Sequence, residues 1–413
     1  MQLIKKTLGA VILIFGGNLI AQNTSTEVSP QDTVKAKLGQ IEIDILSSYY
    51  DQDGVHSPVT GGRGTENLQD FTNSLIISIP YGKNTYSINF GQDFITSAST
   101  DNIDIDVSSD SKQDVRVHGD IGITHKISKR KSYEVGLGFS SEYDVASFNV
   151  GTSYEVESKN RNKSLSFKGK VFYDSYTLYR PIELRNEPEG ENTRLTLNFA
   201  STYAQVLTKK LQLALITEIT YQAGLLATPF HRVYFDDGIN TTSLDEISTI
   251  ISSKVRRREF LPDSRIKIPI ALRFHYYLNS TFILRGFYRY YYDDFGIIGN
   301  TYEIEVPVRF SKAIAFYPFY RYHTQTAADY FAPFGEHQLT DKYYTSDYDL
   351  SNFESNYVGL GFKYAPLFGI FQNAMSKKRM FKFKSINLRY ANYNRSDGLN
   401  SYLISMGFSL TVF

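Results

Sequence analysis

Hydrophobic and polar residues alternate with a period of two along most of the chain after residue 38. In the clearest segment, 264–278, every second residue is apolar and the residues between them include Arg265, Lys267, Arg273 and His275. Successive side chains of a β-strand project to opposite faces. This segment therefore predicts a strand with one apolar face and one charged face.

Similar segments recur along the whole chain and predict an all-β fold. The predicted strands lie near 38–50, 70–81, 84–97, 114–128, 132–142, 146–157, 164–180, 192–207, 210–224, 262–278, 280–293, 301–311, 313–326, 355–365, 382–394 and 400–413. Many of them reach ten to fifteen residues and end in Tyr, whereas the strands of a water-soluble β-sandwich are usually about five or six residues long. The pattern favours a transmembrane antiparallel β-barrel of about 16 strands, within a range of about 14–18.

The links between the predicted strands alternate in length. Short turns near 82–84, 128–131, 158–163, 208–210, 279–280 and 311–312 alternate with longer links at 51–69, 98–113, 181–191, 225–261 and 327–354. Bacterial barrels have short periplasmic turns, long extracellular loops and an even number of strands. Both ends of the barrel are therefore expected on the periplasmic side. The long basic link 366–381 departs from this scheme.

The first residues have the pattern of a secretory signal peptide. Lys5 and Lys6 precede a short apolar run, 8–20, and Ala21 offers a small residue for cleavage. An uncleaved anchor is the alternative, although Gly16-Gly17-Asn18 interrupts a run already too short to span a bilayer. The expected organisation is a signal peptide at 1–21, a flexible leader at 22–37 and an outer-membrane barrel at 38–413.

Composition narrows the function classes. The 413 residues contain no Cys, which excludes disulfides, thiolate metal sites and a thiol nucleophile. Lys and Arg total 44 against 43 Asp and Glu, so the chain lacks the basic excess expected of a nucleic-acid binder. Trp is also absent, so Tyr and Phe must supply both aromatic girdles of a barrel. The last strand, ending in Phe413, resembles the signal read by the outer-membrane assembly machinery, a partner expected during biogenesis.

Placing the apolar faces in lipid predicts an unevenly charged lumen. The predicted lumen-facing residues are Arg265, Lys267, Arg273, Arg285, Arg289, Arg309, Arg321, Glu303 and Glu305 on the later strands, and Asp120 and Glu134 on the early ones. Walls of opposite sign would set up a transverse field across a narrow aqueous passage. The alternative is a network of ion pairs that fills the lumen, because unpaired charges are costly in a dry interior.

Three predicted outer loops carry further candidate chemistry. Asp51, Asp53 and Glu66 in the first, with Asp101 and Asp104 in the second, form a candidate calcium site. An ordinary glycine-rich turn and a solvated acidic loop are the alternatives. In the third loop, Ser243-Leu244-Asp245-Glu246 is a capping box that predicts an amphipathic helix closed by Lys254 and Arg256–Arg258. That helix would plug the pore, lie on it, or contact phosphate groups of surface glycolipid.

No catalytic constellation stands out. His56 and Ser57 are adjacent, and adjacent side chains on an extended chain point apart, so they do not predict a Ser–His pair. Apart from the candidate calcium site, no cofactor is expected. The sequence therefore predicts a protein that is not an enzyme, with a barrel-embedded hydrolase kept as the third hypothesis.

Two N-terminal segments resemble an uncharacterised bacterial outer-membrane family, the domain of unknown function 3570. They are YYDQDGVHSPVTGGRGTE, Tyr49 to Glu66, and DFITSASTD, Asp93 to Asp101. The resemblance implies a barrel of about this length in the bacterial outer membrane, without an established substrate. It also implies an envelope lipoprotein as a candidate partner beside the lipid bilayer. The signal sequence ending in Ala21-Gln22 and the composition rich in Tyr, Asn and Lys resemble those of a Bacteroidetes-type protein.

Two non-enzymatic functions remain open after these observations. One is a channel or transporter for small polar or charged solutes. The other is a plugged barrel that serves as a scaffold or partner-binding component of an envelope complex. Only the channel or transporter requires a continuous water-filled path past the lumen arginines.

Overall fold

The structure is a computed structural model, and it describes residues 38–97, 113–181, 184, 192–236, 255–376 and 379–413. Within these residues, 16 long strands form one antiparallel sheet in which each strand pairs with the next along the chain. The strands are β1 Ile41–Asp53, β2 Leu68–Tyr81, β3 Asn84–Ser97, β4 Gln113–Ser128, β5 Lys131–Ser141, β6 Val145–Glu157, β7 Lys163–Tyr176, β8 Thr193–Val206, β9 Leu211–Gly224, β10 Ser264–Tyr277, β11 Ile283–Asp293, β12 Ile298–Glu305 (continued by Val308–Arg309), β13 Ile314–Gln325, β14 Phe353–Tyr364, β15 Arg379–Arg395 and β16 Asn400–Val412.

The sheet closes on itself. Strand β1 pairs with β2 on one side and with β16 on the other, in a register that runs from Ile41 opposite Val412 to Asp53 opposite Asn400. Closure leaves neither the first nor the last strand as an edge, so the backbone amides of both find partners within the sheet. This confirms the predicted barrel and its predicted strand number.

The outer surface of the barrel is apolar. Its exposed side chains include Ile121, Leu137 and Val150 on β4, β5 and β6. In a closed barrel the residues between them must point inward, because side chains alternate along each strand. Exposed tyrosines on the later strands, such as Tyr288 and Tyr302, add an aromatic element to this surface, as expected of a barrel in contact with lipid.

The long link 366–381 contains a strand of its own. Phe371–Ser376 pairs antiparallel with the first residues of β15, from Phe371 opposite Phe383 to Ser376 opposite Arg379. The link is therefore a hairpin that extends one wall of the barrel at the end where β1 begins and β16 ends. The connection between β14 and β15 is therefore long, although it lies at the end of the barrel where the other connections are short turns.

The third outer loop differs from its prediction. Arg256–Arg258 forms a β-strand that pairs with Arg232–Tyr234, so the prediction that these arginines close a helix was wrong. The remainder of the predicted helix, 243–254, lies outside the described residues, as do the expected signal peptide and leader. Among the described residues, no helix has the length and apolar character needed to cross a membrane.

The two faces of β6 allow a test of the membrane assignment. Val150 is 54% exposed on the outer face, and its neighbour Asn149 faces the lumen. We expect Val150→Arg to destabilise the barrel by about 2–4 kcal/mol in lipid, because a charge there sits in hydrocarbon. Unfolding followed by far-ultraviolet circular dichroism measures the effect, since the chain has no Trp to report by fluorescence.

Asn149→Arg is the matched control for this prediction. It adds the same guanidinium one residue away, on the face that meets water. We expect the loss of stability to be clearly smaller than for Val150→Arg. Equal losses in the two variants would contradict the assignment of the outer face to lipid.

Candidate functional site

Two opposed walls of the barrel carry the predicted lumen residues. In a closed barrel of 16 strands, each strand lies opposite the strand eight positions further along the chain. Strands β10–β15 therefore lie opposite β2–β7. The later set bears most of the lumen arginines, and the early set bears most of the lumen aspartates. The structure thus separates these charges across the width of the barrel.

The wall formed by β10–β15, here called the basic wall, is held by ion pairs between neighbouring strands. The Nε of Arg321 donates to Glu303 Oε2 at 2.7 Å, and Arg285 Nη1 donates to Glu305 Oε1 at 2.7 Å. Arg389 contacts the other oxygen of Glu305. Cations outnumber acids on this wall, whose basic residues are Arg265, Lys267, Arg273, Arg285, Arg289, Arg309, Arg321, Lys363 and Arg389.

Arg289 differs from its neighbours on the basic wall. It lies on β11 opposite Thr301 of β12, and its Nε is buried without a hydrogen-bond partner. Among the described residues it makes no ion pair, whereas Arg321 nearby is paired with Glu303. Its charge is therefore not neutralised by a direct contact. Arg273 lies over the ring of Phe287 with its Cζ 5.5 Å from the ring centroid.

The opposite wall, formed by β2–β7, is here called the acidic wall. Asp120 on β4 and Glu134 on β5 lie on the inward face of the sheet, and Lys170 Nζ lies 4.0 Å from Asp120 Oδ1. Asp93 lies 3.5 Å from Arg116 on the next strand. Glycines share the same inward face at 91, 122, 136, 138 and 151. Because these positions lack side chains, the acidic wall leaves space in front of the long arginines.

Exposure changes along the lumen. The side chains of Asp120 and Arg285 are 43% and 39% exposed, so water reaches both walls. Near the outer ends of the strands, the pair formed by Arg265 with Asp293 and the pair formed by Arg194 with Asp174 are almost completely buried. The lumen is therefore hydrated at mid-height, near Asp120, and toward the inner end, near Arg285, and it is closely packed near its outer end.

Outer loops fold into the mouth of the barrel and contact lumen-facing side chains. Gln52 of β1 donates to the carbonyl of Glu66 at 3.2 Å, and Gln325 of β13 donates to the carbonyls of Asp349 and Ser351 at 3.0 and 2.7 Å. Arg395 of β15 pairs with Asp349. Residues 54–67, 225–236, 255–263 and 326–352 are here called the outer loop assembly.

The outer loop assembly has its own buried core. Val233, Phe235 and Tyr344 pack together, and the rings of Phe235 and Tyr344 meet edge to face with centroids 4.9 Å apart. Arg232 Nη1 donates to the carbonyl of Val59 at 2.8 Å and joins this core to the first loop. A cavity of about 320 Å³ opens within the assembly, lined by Arg257, Arg258, Phe260, Asp341, Lys342 and Tyr344.

The structure does not bring together the described candidate calcium ligands, Asp51, Asp53 and Glu66. Asp51 and Asp53 lie on the outer face of β1, where Asp51 accepts a hydrogen bond from Gln69 Nε2 at 2.8 Å. Glu66 is buried in the outer loop assembly. Among the described residues, two clusters have His, Asp or Glu atoms close enough to hold one ion, and neither contains these residues. Asp101 and Asp104 lie outside the described residues.

Burial and charge repulsion act on Glu66 within the outer loop assembly. Burial and then the negative charges of Asp349 and Asp347 raise the pKa of Glu66 to about 8, although Arg395 opposes this shift. Glu66 is therefore protonated at neutral pH while the loops are closed. It becomes an ordinary ionised carboxylate when the loops open and water reaches it.

The closed antiparallel barrel, its apolar exterior and its charged interior define a transmembrane β-barrel of the bacterial outer membrane. A family model described as a protein of unknown function, DUF3570, matches residues 106–394. The chain belongs to this family, which confirms the resemblance found in the sequence. A search of curated proteins finds no match.

Solved structures with a similar course of the chain are outer-membrane proteins. OccK1 (OpdK) of Pseudomonas aeruginosa is 7% identical with a TM-score of 0.42, covering 91% of this chain and 98% of its own. OccAB1 of Acinetobacter baumannii is 10% identical with a TM-score of 0.43 (90% and 96% covered). A BenF-like porin from Pseudomonas fluorescens Pf-5 is 8% identical with a TM-score of 0.41 (90% and 98% covered). At these sequence identities and TM-scores, the assignment of the fold rests on the strand pairing alone.

The raised pKa of Glu66 predicts that the loops open more easily as the pH rises. Opening lowers the pKa of this group from about 8 to its ordinary value of 4.5, so a proton is released between these limits. The free energy of opening should fall by about 1.4 kcal/mol per pH unit in that window. Cleavage within 326–352 by an added protease, measured on the folded barrel between about pH 5.5 and 7.5, reports the change.

Glu66→Gln should flatten this pH dependence and slow cleavage at the upper end of the range. Comparing the variant with the unmodified chain at each pH cancels the pH profile of the protease. Glu336→Gln, which changes an exposed loop carboxylate, is the control and should leave the slope unchanged. An unchanged slope in Glu66→Gln would contradict the assignment.

Proposed function

We propose that this barrel is a passive outer-membrane channel for small charged solutes, with anions favoured along the basic wall. The observation that carries the proposal is the opposition of the basic and acidic walls across a lumen that water reaches. Such walls produce a field across the passage that orients dipolar solutes and filters them by charge.

The pattern of ion pairing supports a passage rather than a charge-filled plug at the level of these walls. Glu303 and Glu305 join β12 to β11, β13 and β15, so these bridges remain within the basic wall. The bridge from Lys170 to Asp120 likewise remains within the acidic wall. Pairs of this kind fix the arginine side chains in place while leaving the space between the walls to water and solute.

Arg289 provides the most direct test of charge selection. We expect the unmodified channel to prefer anions and Arg289→Gln to weaken that preference. A unit charge about 5 Å from a permeating ion in water is worth about 0.8 kcal/mol, which corresponds to about a fourfold change in the permeability ratio. The reversal potential in a planar bilayer under a KCl gradient measures this ratio.

Arg130→Gln is the matched control for Arg289→Gln. Arg130 lies in the exposed turn between β4 and β5, outside the lumen, and the substitution removes the same charge from the same chain. Its reversal potential should match that of the unmodified protein. A preference for anions that survives in Arg289→Gln would contradict the assigned role of the basic wall.

A plugged barrel that acts as a scaffold is the second candidate, and the outer loop assembly favours it. Gln52, Gln325 and Arg395 hold loop segments inside the mouth. Replacing residues 330–346 with a short Gly-Ser linker separates the two functions. A channel narrowed by its loops should show a larger single-channel conductance after the replacement. A barrel that conducts neither before nor after it would support the scaffold.

A further inference from the structure

Three ionisable side chains converge inside the outer loop assembly. His231 Nδ1 lies 3.7 Å from Glu259 Oε2 and 4.0 Å from Asp347 Oδ2. One ligand atom from each residue lies within 4.8 Å of those of the other two. All three side chains are buried, and His231 is only 2% exposed. The cluster lies away from the basic and acidic walls and plays no part in the proposed conduction.

The backbone brings these residues together in a defined way. Arg232 pairs with Arg258 in the short hairpin, and the amide of Glu259 donates to the carbonyl of His231 at 2.9 Å. His231 and Glu259 are therefore cross-strand neighbours, whose side chains meet on one face of the hairpin. Asp347 comes from the separate loop 326–352. The cluster thus joins two loops that are distant in sequence.

Hydrogen bonds orient both carboxylates. The Thr228 amide donates to Glu259 Oε2 at 2.7 Å, and the Thr345 hydroxyl donates to the other oxygen of Glu259. The Asp349 amide donates to Asp347 Oδ1 at 2.9 Å, which leaves Asp347 Oδ2 directed toward His231. Hydrogen-bond donors such as these commonly hold metal-binding carboxylates in the orientation that coordination requires.

Among the described residues, His231 makes no hydrogen bond of normal length. Both of its ring nitrogens are buried and unsatisfied, although two carboxylates stand beside them. Burying a polar group without a hydrogen-bond partner costs free energy. Native proteins therefore rarely leave such a group unsatisfied without a structural or functional reason. If the imidazole were protonated and paired with these carboxylates, charge-assisted hydrogen bonds of about 2.7–2.9 Å would be expected. The observed separations of 3.7 and 4.0 Å are too long for that arrangement.

We propose that His231, Glu259 and Asp347 bind one divalent transition-metal ion of the zinc type. Two ligands at about 2.0–2.2 Å from a tetrahedral ion lie about 3.3–3.6 Å apart, so small side-chain movements bring the present atoms into coordination distance. An imidazole with two carboxylates suits Zn²⁺, whereas Ca²⁺ takes oxygen ligands only and in larger number. Metal binding here joins the hairpin to loop 326–352.

The remaining cluster among the described residues has different surroundings. Asp114, Glu142 and Asp144 form a purely acidic group that is only half-buried. Arg116 lies 3.6 Å from Glu142, and the Tyr143 amide is hydrogen-bonded to Asp114. Nothing beyond the acids themselves points to an ion there. This group therefore serves as the internal comparison for the proposed site.

Metal binding is tested on the whole purified barrel without an affinity tag. After treatment with a chelator, the protein is titrated with Zn²⁺, and the bound metal is counted by calorimetry and elemental analysis. We expect one ion per chain, unaffected by excess Ca²⁺. Co²⁺ bound in place of Zn²⁺ should give the visible absorption spectrum of a site with nitrogen and oxygen ligands and a low coordination number. A chain that binds no metal in these titrations overturns the proposal.

Single substitutions locate the ion. His231→Gln and Asp347→Asn should each weaken Zn²⁺ binding at least tenfold, while His125→Gln, which removes a histidine at the opposite end of the barrel, should not. Asp144→Asn tests the acidic group. Binding that survives in His231→Gln and disappears in Asp144→Asn would place the ion at that group and overturn the assignment.

Protease protection gives a second measurement, which reports whether the bound ion joins the two loops. Zn²⁺ added to the unmodified protein should slow cleavage within 326–352, because the bound ion ties this loop to the hairpin. The same addition to the His231→Gln variant should have little effect. If Zn²⁺ binds the unmodified chain and leaves cleavage unchanged, the ion does not join these two loops, and the proposal is wrong.

Discussion

The closure of β1 onto β16 is the constraint on which the other features of the structure depend. Hydrocarbon offers no hydrogen-bond partners, so every backbone amide that crosses it must be satisfied within the sheet. The continuous register from Ile41 opposite Val412 to Asp53 opposite Asn400 meets this requirement. Closure also fixes which strands face one another, and so places the basic wall opposite the acidic wall.

The barrel was predictable because lipid and water impose opposite demands on adjacent residues. Ile266 and Lys267 are neighbours in β10, and their exchange would put a charge in hydrocarbon and an isoleucine in the lumen. That contrast recurs along each strand, so alternation revealed the strands and their number. The same alternation predicts which way single residues such as Arg289 and Glu303 face. A side chain in a barrel strand points either to the lipid or to the lumen.

The outer loop assembly was not predictable in the same way. Residues 225–263 face neither lipid nor a simple aqueous lumen, so no period distinguishes the hairpin Arg232–Tyr234 and Arg256–Arg258 from a helix. The convergence of His231 and Glu259 with Asp347 depends on tertiary contacts between distant loops. A buried histidine gives no local signal in a sequence. The acidic residues of the first loop led instead to the prediction of a calcium site.

The molecule places its charges in two different environments. In the lumen, water reaches arginines such as Arg285, so its bridge to Glu305 is partly screened and mainly holds the side chain in position. In the buried core of the outer loop assembly, each charge needs a close partner, as Arg395 has in Asp349 and Asp397. Neither ring nitrogen of His231 makes a hydrogen bond to a described residue in this second environment, where an unsatisfied polar group is most costly. A bound cation would satisfy the imidazole and both carboxylates together, in the region where the loops meet the mouth of the barrel.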